Sequence, residues 1–470
     1  MLNPPFDSDL RRSPLLVATF NLVATIVGGG VLSLPLAFEK CGIVGATILM
    51  VFAATITAKS LDLLCSTARK TGATSFGGVG KDAFGSWMDT SISVLLFVFL
   101  LFVLVAYMVL LRDIWTPLVQ MHLPEISGDA VLRGIIILMS PCLVQRTLHS
   151  LRFNCYIGFG SVSLLCVALL HHAVMTLVTT ATGAANNDGA VATDPTSTSS
   201  LKYVPDSMAD ALFAFPIITL SFLSAFNILP IQNALIKPTV ERMRLVINFA
   251  VASCFVLMYC FGLGGYLYAQ EETAGNILLN CNNYKEDWMF LLGRVGCGVT
   301  IMLALGMMML PCRDSLLEVL DLLIVTRLAA SSRSASLRTG ETTSLLGVDT
   351  TLPVDTTLPH RVSLQDNPVV HYITTFGIAL TTYLGAVIAP GVAIVWSLCG
   401  SSMAFVISFL LPAACYLHLE QQIPDSTNEA RRAKRFFSWF LCVFSVVGAI
   451  LCTRQTVMMM DSTTSVHQVD

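Results

Sequence analysis

Long apolar runs alternate with short polar breaks along almost the whole chain. Runs of about 20 apolar residues, the length that crosses about 30 Å of hydrocarbon as a helix, fall near 14–38, 43–65, 90–111, 131–146, 153–178, 209–235, 245–269, 289–311, 369–389, 392–418 and 436–458. Each run predicts a spanning helix, and together they predict an all-α polytopic membrane protein with about 11 transmembrane helices. The run near 131–146 is short and carries Pro141. Two stretches are too polar to pack. Residues 180–207 predict a flexible external loop, and the Ser/Thr/Arg-rich residues 325–367 a disordered cytosolic loop.

The first and sixth runs are interrupted. "TIVGGGVLSLPLAF" (25–38) places three glycines and Pro35 inside an apolar stretch, and "FPIITLSFLSAFNILPIQNAL" (215–235) carries Pro216 and Pro230. Each glycine costs about 1 kcal/mol against alanine in a helix interior. Proline frees the carbonyl four residues back, here those of Val31, Leu212 and Phe226. Unpaired backbone in hydrocarbon survives only against protein or a water-filled cavity. The two breaks fall in the first members of two successive sets of five runs. That placement predicts a five-plus-five inverted repeat with broken helices 1 and 6 and a ligand site at the midplane. Exposed N–H groups there favour a carboxylate and freed carbonyls an ammonium, so a zwitterionic α-amino acid fits both.

Composition agrees with the pattern. Of 470 residues 54% are hydrophobic and 12% charged, against about 25% charged in soluble domains. A net charge of −3 without a basic tract gives no reason to expect a nucleic acid partner. The polar start "MLNPPFDSDLRRSPLL" is not a cleavable signal, so the first run reads as an uncleaved anchor. Most of the 14 cysteines lie in apolar runs; on external loops only Cys41 and Cys281 stand out, and no disulfide framework emerges. Of the 27 lysines and arginines, 19 fall on one set of alternate loops and 7 on the other, with Lys59 inside a run. The richer set belongs in the cytosol. This predicts a cytosolic tail (1–13), a transmembrane domain (14–459, containing the 180–207 external and 313–367 cytosolic loops) and an external tail (460–470).

Several motifs carry a resemblance. "TFNLVATIVGGGVLSLPLAF", "SFLSAFNILPIQNAL" (221–235), "FGLGGYLY" (261–268), "RVGCGVTIMLALGMMMLPCR" (294–313), "IAPGVAIVWSLCGSSMAFVISFLLPAACYLHLE" (388–420) and "SLDLLCSTARKTGATSFGGVGKDAFG" (60–85) appear in this order. With them the chain resembles the amino acid/auxin permease family, nearest its sodium-coupled neutral amino acid transporter branch. The resemblance implies the fold of the amino acid–polyamine–organocation superfamily, no prosthetic group, and coupling to sodium or protons. It also implies sodium ligands from an Asn in helix one and threonines in helix eight. Ala24, Met302 and Ala304 occupy those positions here, and their side chains offer no oxygen, so sodium coupling is not expected and proton coupling or facilitated exchange is.

The candidate substrate contacts are Thr25, Gly28, Gly29, Gly30, Ser221, Ser224, Asn227 and Thr300, with no catalytic set. The charged residues within or beside the runs sit near membrane ends, which favours a neutral substrate over a cationic one. Transport is favoured over amino acid sensing because the cytosolic tail is short. Lys59 and Asp62 predict a surface pair, and Asp210 an interfacial carboxylate. His171, His172 and His371 are possible proton carriers near run ends, and Met307–Met309 predict space-filling. "ETTSLL" (341–346) resembles an acidic dileucine signal, which would bring a clathrin adaptor to Glu341, Leu345 and Leu346. Whether the membrane is the plasma membrane or that of a lysosome or vacuole is open at this level.

Overall fold

The first run becomes two helical pieces, because the glycines stop the first. In the computed structural model, which describes residues 11–145, 154–186, 201–281, 287–343, 367–422 and 428–466, α1 (Leu15–Ile26) ends before Gly28. A 3-10 turn, Gly29–Ser33, then leads into α2 (Leu34–Thr71). Pro35 sits in the first turn of α2, where its missing N–H costs nothing. The carbonyl of Val31, expected to be freed, accepts from the Leu34 N–H.

Runs one and two are joined at Gly42, where α2 bends through φ 68°, ψ 168°. Only glycine serves there. The conformation is left-handed, and a Cβ would stand 2.5 Å from the backbone of Tyr203 and Val204. That segment is tied to the bend by the N–H groups of Ile43 and Val44, which donate to the carbonyls of Lys202 and Tyr203 at 3.0 and 2.9 Å.

The remaining elements are α3 (Phe76–Phe84), α4 (Ser86–Gln120), α5 (Gly128–Leu143), α6 (Asn154–Asn186), α7 (Met208–Ser221), α8 (Ala225–Ala234), α9 (Val240–Ala269), α10 (Trp288–Thr343), α11 (Pro368–Ile388), α12 (Val392–Cys399), α13 (Leu411–Gln422) and α14 (Asn428–Val466). Two π-helical stretches, Gly400–Ala404 and Val406–Leu410, join α12 to α13 into one span. Among the described residues nine helices are long and apolar enough to cross a membrane. The difference from eleven runs has a local cause. The piece Leu15–Ile26 and the 16-residue α5 are each too short alone, and the second half of run one merges with run two across Gly42. Helix α10 continues through Thr343, into the stretch expected to be disordered, and α6 reaches Asn186. Leu345 and Leu346 of the dileucine pattern lie outside the described residues.

The interior pairs α4 with α10, α2 with α9 and α7, and α6 with α9 and α10. Helices α11 and α14 are the most peripheral, with Phe376, Ile388, Phe436 and Ile450 turned outward. The internal ends are pinned by charge. Arg294, 1% exposed, donates to the carbonyls of Ile114 and Asp113 at 3.1 Å, locking α10 to α4. Arg11 donates to the carbonyls of Gln232 and Asn233 at 3.1 Å, and the Ser13 N–H reaches the Ala234 carbonyl at 2.9 Å. The entrance to α1 is thereby tied to the exit of α8. Asp62 does not pair with Lys59. It is held by Arg244 at 3.0 to 3.2 Å, while Lys59 lies over the Phe437 ring. A partner 182 residues away beats the helix neighbour because the guanidinium fork matches the carboxylate.

Candidate functional site

The break after α1 leaves backbone groups open. Val27 still donates to the Val23 carbonyl, and Val31 to that of Gly28. Among the described residues, the N–H groups of Gly28, Gly29 and Gly30 have no partner across the break, and neither do the carbonyls of Ala24, Thr25 and Ile26. The second break lies at Phe222–Ser224, between α7 and α8. The sequence pointed to Pro216 and Pro230, yet both prolines sit inside helices and the chain opens between them. The N–H groups of Ser224, Ala225 and Phe226, at the mouth of α8, have no backbone acceptor.

The two breaks face each other. The ideal Cβ position of Gly30 lies 3.4 Å from the Ser221 hydroxyl, and the Asn227 amide donates to the Thr25 hydroxyl at 3.5 Å. Two adjoining hollows open around Gly28 and Gly29. One of about 260 Å³ reaches across to α6, α8 and α10; the other, of about 90 Å³, lies between the breaks against α4 and α12. They share Thr25, Gly28, Gly29, Tyr107, Phe226 and Met308.

Of the predicted contacts, Thr25, Gly28, Gly29, Asn227 and Thr300 line the larger hollow, and Gly30 and Ser221 the smaller. Ser224 lines neither. It is fully buried, and its hydroxyl turns back to the Phe222 carbonyl at 3.4 Å. Thr25 and Thr300 each donate to their own helix, to Asn21 and Gly296, as membrane threonines commonly do. The three glycines differ. A Cβ on Gly28 meets nothing within 4 Å, whereas one on Gly29 would press on Leu110 and Tyr107 at 3.0 and 3.1 Å.

Other wall residues were not anticipated. Asn154 donates to the Thr300 carbonyl at 3.2 Å, while its Oδ1 is buried with no hydrogen-bond partner. The Trp396 indole N–H, in the smaller hollow, is likewise buried and unpartnered. A buried unpaired polar atom is costly, and these two lie in the walls of the hollows. A polar amide opening an apolar run was a usable signal for Asn154; Trp396 and Tyr107 carry none. Met307 and Met308 line the larger hollow rather than merely filling space.

No Asp, Glu, Lys, Arg or His lines either hollow among the described residues. The histidines are elsewhere. His172 bonds Asp287, His171 is exposed, and His371 is buried beside Arg313 and the Val144 carbonyl. Asp210 closes a cap with Ser207 at the start of α7. Of the sodium-ligand positions, Ala24 and Ala304 line the larger hollow and Met302 does not.

Comparison with known proteins supplies the family. A profile described as "Transmembrane amino acid transporter protein" matches residues 11–458. Human solute carrier family 38 member 10 is 24% identical over 409 residues, covering 86% of this chain and 32% of that protein. This chain therefore spans about a third of that relative's length. Vacuolar amino acid transporter 5 of Schizosaccharomyces pombe is 23% identical, with 95% of both chains covered. The zebrafish putative sodium-coupled neutral amino acid transporter 11 is 26% identical, covering 60% of this chain and 61% of that protein. This multi-pass integral membrane protein belongs to the transmembrane amino acid transporter family.

Proposed function

We propose that the protein is a secondary transporter of small neutral amino acids, working by alternating access around the two breaks. The observation that carries this reading is the uncharged hollow at Gly28, walled by unpaired N–H and carbonyl groups. A zwitterion needs both kinds of backbone group and no counter-ion. A cationic side chain would need a carboxylate, and none lines the hollow among the described residues. The names of the relatives point to amino acids as cargo. The reading includes two five-helix repeats of opposite topology, led by α1 and α7, with α14 as the addition.

Sodium is not required on this reading. A hard cation must recover oxygen ligands to offset lost hydration, and Ala24 and Ala304 present methyl groups to the hollow where the resemblance implies oxygen. Coupling to protons, or exchange without an ion, remains. The test is uptake of radiolabelled alanine, proline and arginine by the purified protein in proteoliposomes, with choline against sodium at fixed pH and potential. Uptake of alanine or proline unchanged in choline is expected. A severalfold loss without sodium would overturn the coupling assignment. Arginine uptake without any neutral substrate would overturn the substrate class.

A further inference from the structure

The span Val392–Gln422 loses its α-helical bonding between α12 and α13. There the hydrogen bonds widen. The Phe405 N–H donates to the Gly400 carbonyl, and the Leu411 N–H to that of Val406. Such π turns are rare, mostly single, and frequent at functional sites; here two follow one another. Pro412, in the first turn of α13, has no N–H for the Ser408 carbonyl four residues back. The Ser60 hydroxyl of α2 donates to that carbonyl instead. The Phe405 carbonyl likewise takes an outside donor, the Ser445 hydroxyl of α14, at 2.8 Å.

Two contacts fix the level of these turns in the bundle. The Ser397 hydroxyl donates to the Phe213 carbonyl at 2.9 Å, across 184 residues of chain. A Cβ on Gly400 would stand 2.4 Å from the Pro216 carbonyl oxygen, at the same offset along the chain. Helices α7 and α12 therefore run side by side in one direction, with their backbones touching. The same offset sets Val406, which begins the second π stretch, level with Phe222, where α7 ends. The span also changes partners across the π turns. Helix α12 packs on α7 and α4, and α13 on α2 and α3.

We propose that Gly400–Leu410 is a hinge paired with the break at Phe222–Ser224, so that α7 and α12 tilt as one body against α8 and α13. Helices bend where the regular ladder is interrupted, and π turns are one such place. A few residues at the ends of elements can absorb the whole of a domain motion. The inference rests on the transporter reading and gives it a moving part. Ser221 at the end of α7 and Trp396 on α12 both wall the smaller hollow, so a shared tilt changes the width of that hollow. The close approach at Gly400 makes the two helices move together, because neither can slide past the other without separating.

The test is amide hydrogen exchange, read by mass spectrometry, on the purified full-length protein in phosphatidylcholine nanodiscs. Amides of 401–411 should exchange severalfold faster than those of α12 and of the rest of α13, as a locally opening segment does. Exchange as slow as in those flanks would overturn the proposal, and that comparison needs no variant. Ser60→Ala removes one hydrogen bond from the second π stretch, so exchange at 406–411 should rise about 2- to 12-fold. Exchange at 222–226 should rise with it, and a rise confined to 406–411 would overturn the pairing. Ser60 lines neither hollow at Gly28, so in proteoliposomes the variant should change the kcat of uptake severalfold at unaltered KM. An unaltered kcat in a folded variant with raised exchange would remove the hinge from the transport cycle. Absence of amino acid uptake by the unaltered protein would refute the transporter reading alone, since the exchange comparison is made without substrate.

Discussion

Replacing Gly28 by valine places an isopropyl group in the one position of the triple glycine where space is open. The backbone there is extended (φ −128°, ψ −165°), so a β-branched residue enters without strain. No atom lies within 4 Å of the new Cβ, so folding loses no contact and stability should stay within about 0.5 kcal/mol. Three carbons, at about the 30 Å³ of a water each, take up on the order of 90 Å³. The larger hollow has about 260 Å³, so roughly a third of it is lost beside the unpaired N–H groups. Overpacking of this kind costs about 1–3 kcal/mol, which raises KM for a bound amino acid by about 5- to 150-fold. Gly28→Ala should fall between. Gly29 is a poorer probe, because a side chain there collides with Tyr107 and Leu110 whatever the substrate does. The assay is concentration-dependent uptake in proteoliposomes, with thermal unfolding of the same preparations. A Gly28→Val protein with unaltered Tm and unaltered KM would mean that substrate does not occupy this hollow.

Ser221→Ala removes a hydroxyl from the smaller hollow and should raise KM by about 2- to 12-fold, the worth of one hydrogen bond of about 0.5–1.5 kcal/mol. Ser224→Ala, outside both hollows, should leave KM unchanged, and equal effects at the two serines would contradict the placement of the second break. At the α6–α10 end, the hydrogen bond from His172 holds the Asp287 carboxyl below its ordinary 3.8. A lowered carboxylate pKa gives stability that is present above 3.8 and lost as pH falls through the lowered value. The pair is partly exposed, so the difference between the wild type and Asp287→Asn should be under about 1 kcal/mol at neutral pH and should vanish in acid, as read by thermal unfolding against pH. A gap that widens in acid would reverse the assignment.

The helices were legible because the bilayer demands them. An apolar run near 20 residues has no other stable form in lipid, and the family profile over residues 11–458 accords with that class. The first break was legible too, since three adjacent glycines oppose helix by about 3 kcal/mol together. The second was legible only as a region. Proline is tolerated inside membrane helices when neighbours satisfy the freed carbonyl, so Pro216 and Pro230 mark the span without marking where it opens. The corner at Gly42 was hidden for a different reason. Its need for glycine comes from the backbone of Tyr203 and Val204 lying against it, 161 and 162 residues further along the chain. Asp62 shows the same limit. Helix spacing offered Lys59 at three residues, and tertiary packing supplied Arg244 instead.

The walls of the hollow divide into two kinds of contact, and the division bears on selectivity. Gly28, Gly29 and Gly30 present N–H groups that no side-chain substitution removes, except proline. On the proposed reading these groups hold what every α-amino acid shares, its carboxylate and ammonium. Tyr107, Phe226, Met308 and Trp396 supply side chains instead, and they set the size and polarity of the remaining space. Selectivity then resides in residues that ordinary substitution alters, while affinity for the common part resides in the backbone. A hydrophobic wall discriminates one methylene by only about 1–3 kcal/mol, so a transporter built this way accepts several small neutral amino acids rather than one. The unpartnered indole N–H of Trp396 and amide oxygen of Asn154 are the exceptions. On the same reading each disfavours a substrate that leaves it unpaired, so polar substitution at these two positions should narrow or shift the range where apolar substitution elsewhere only rescales it.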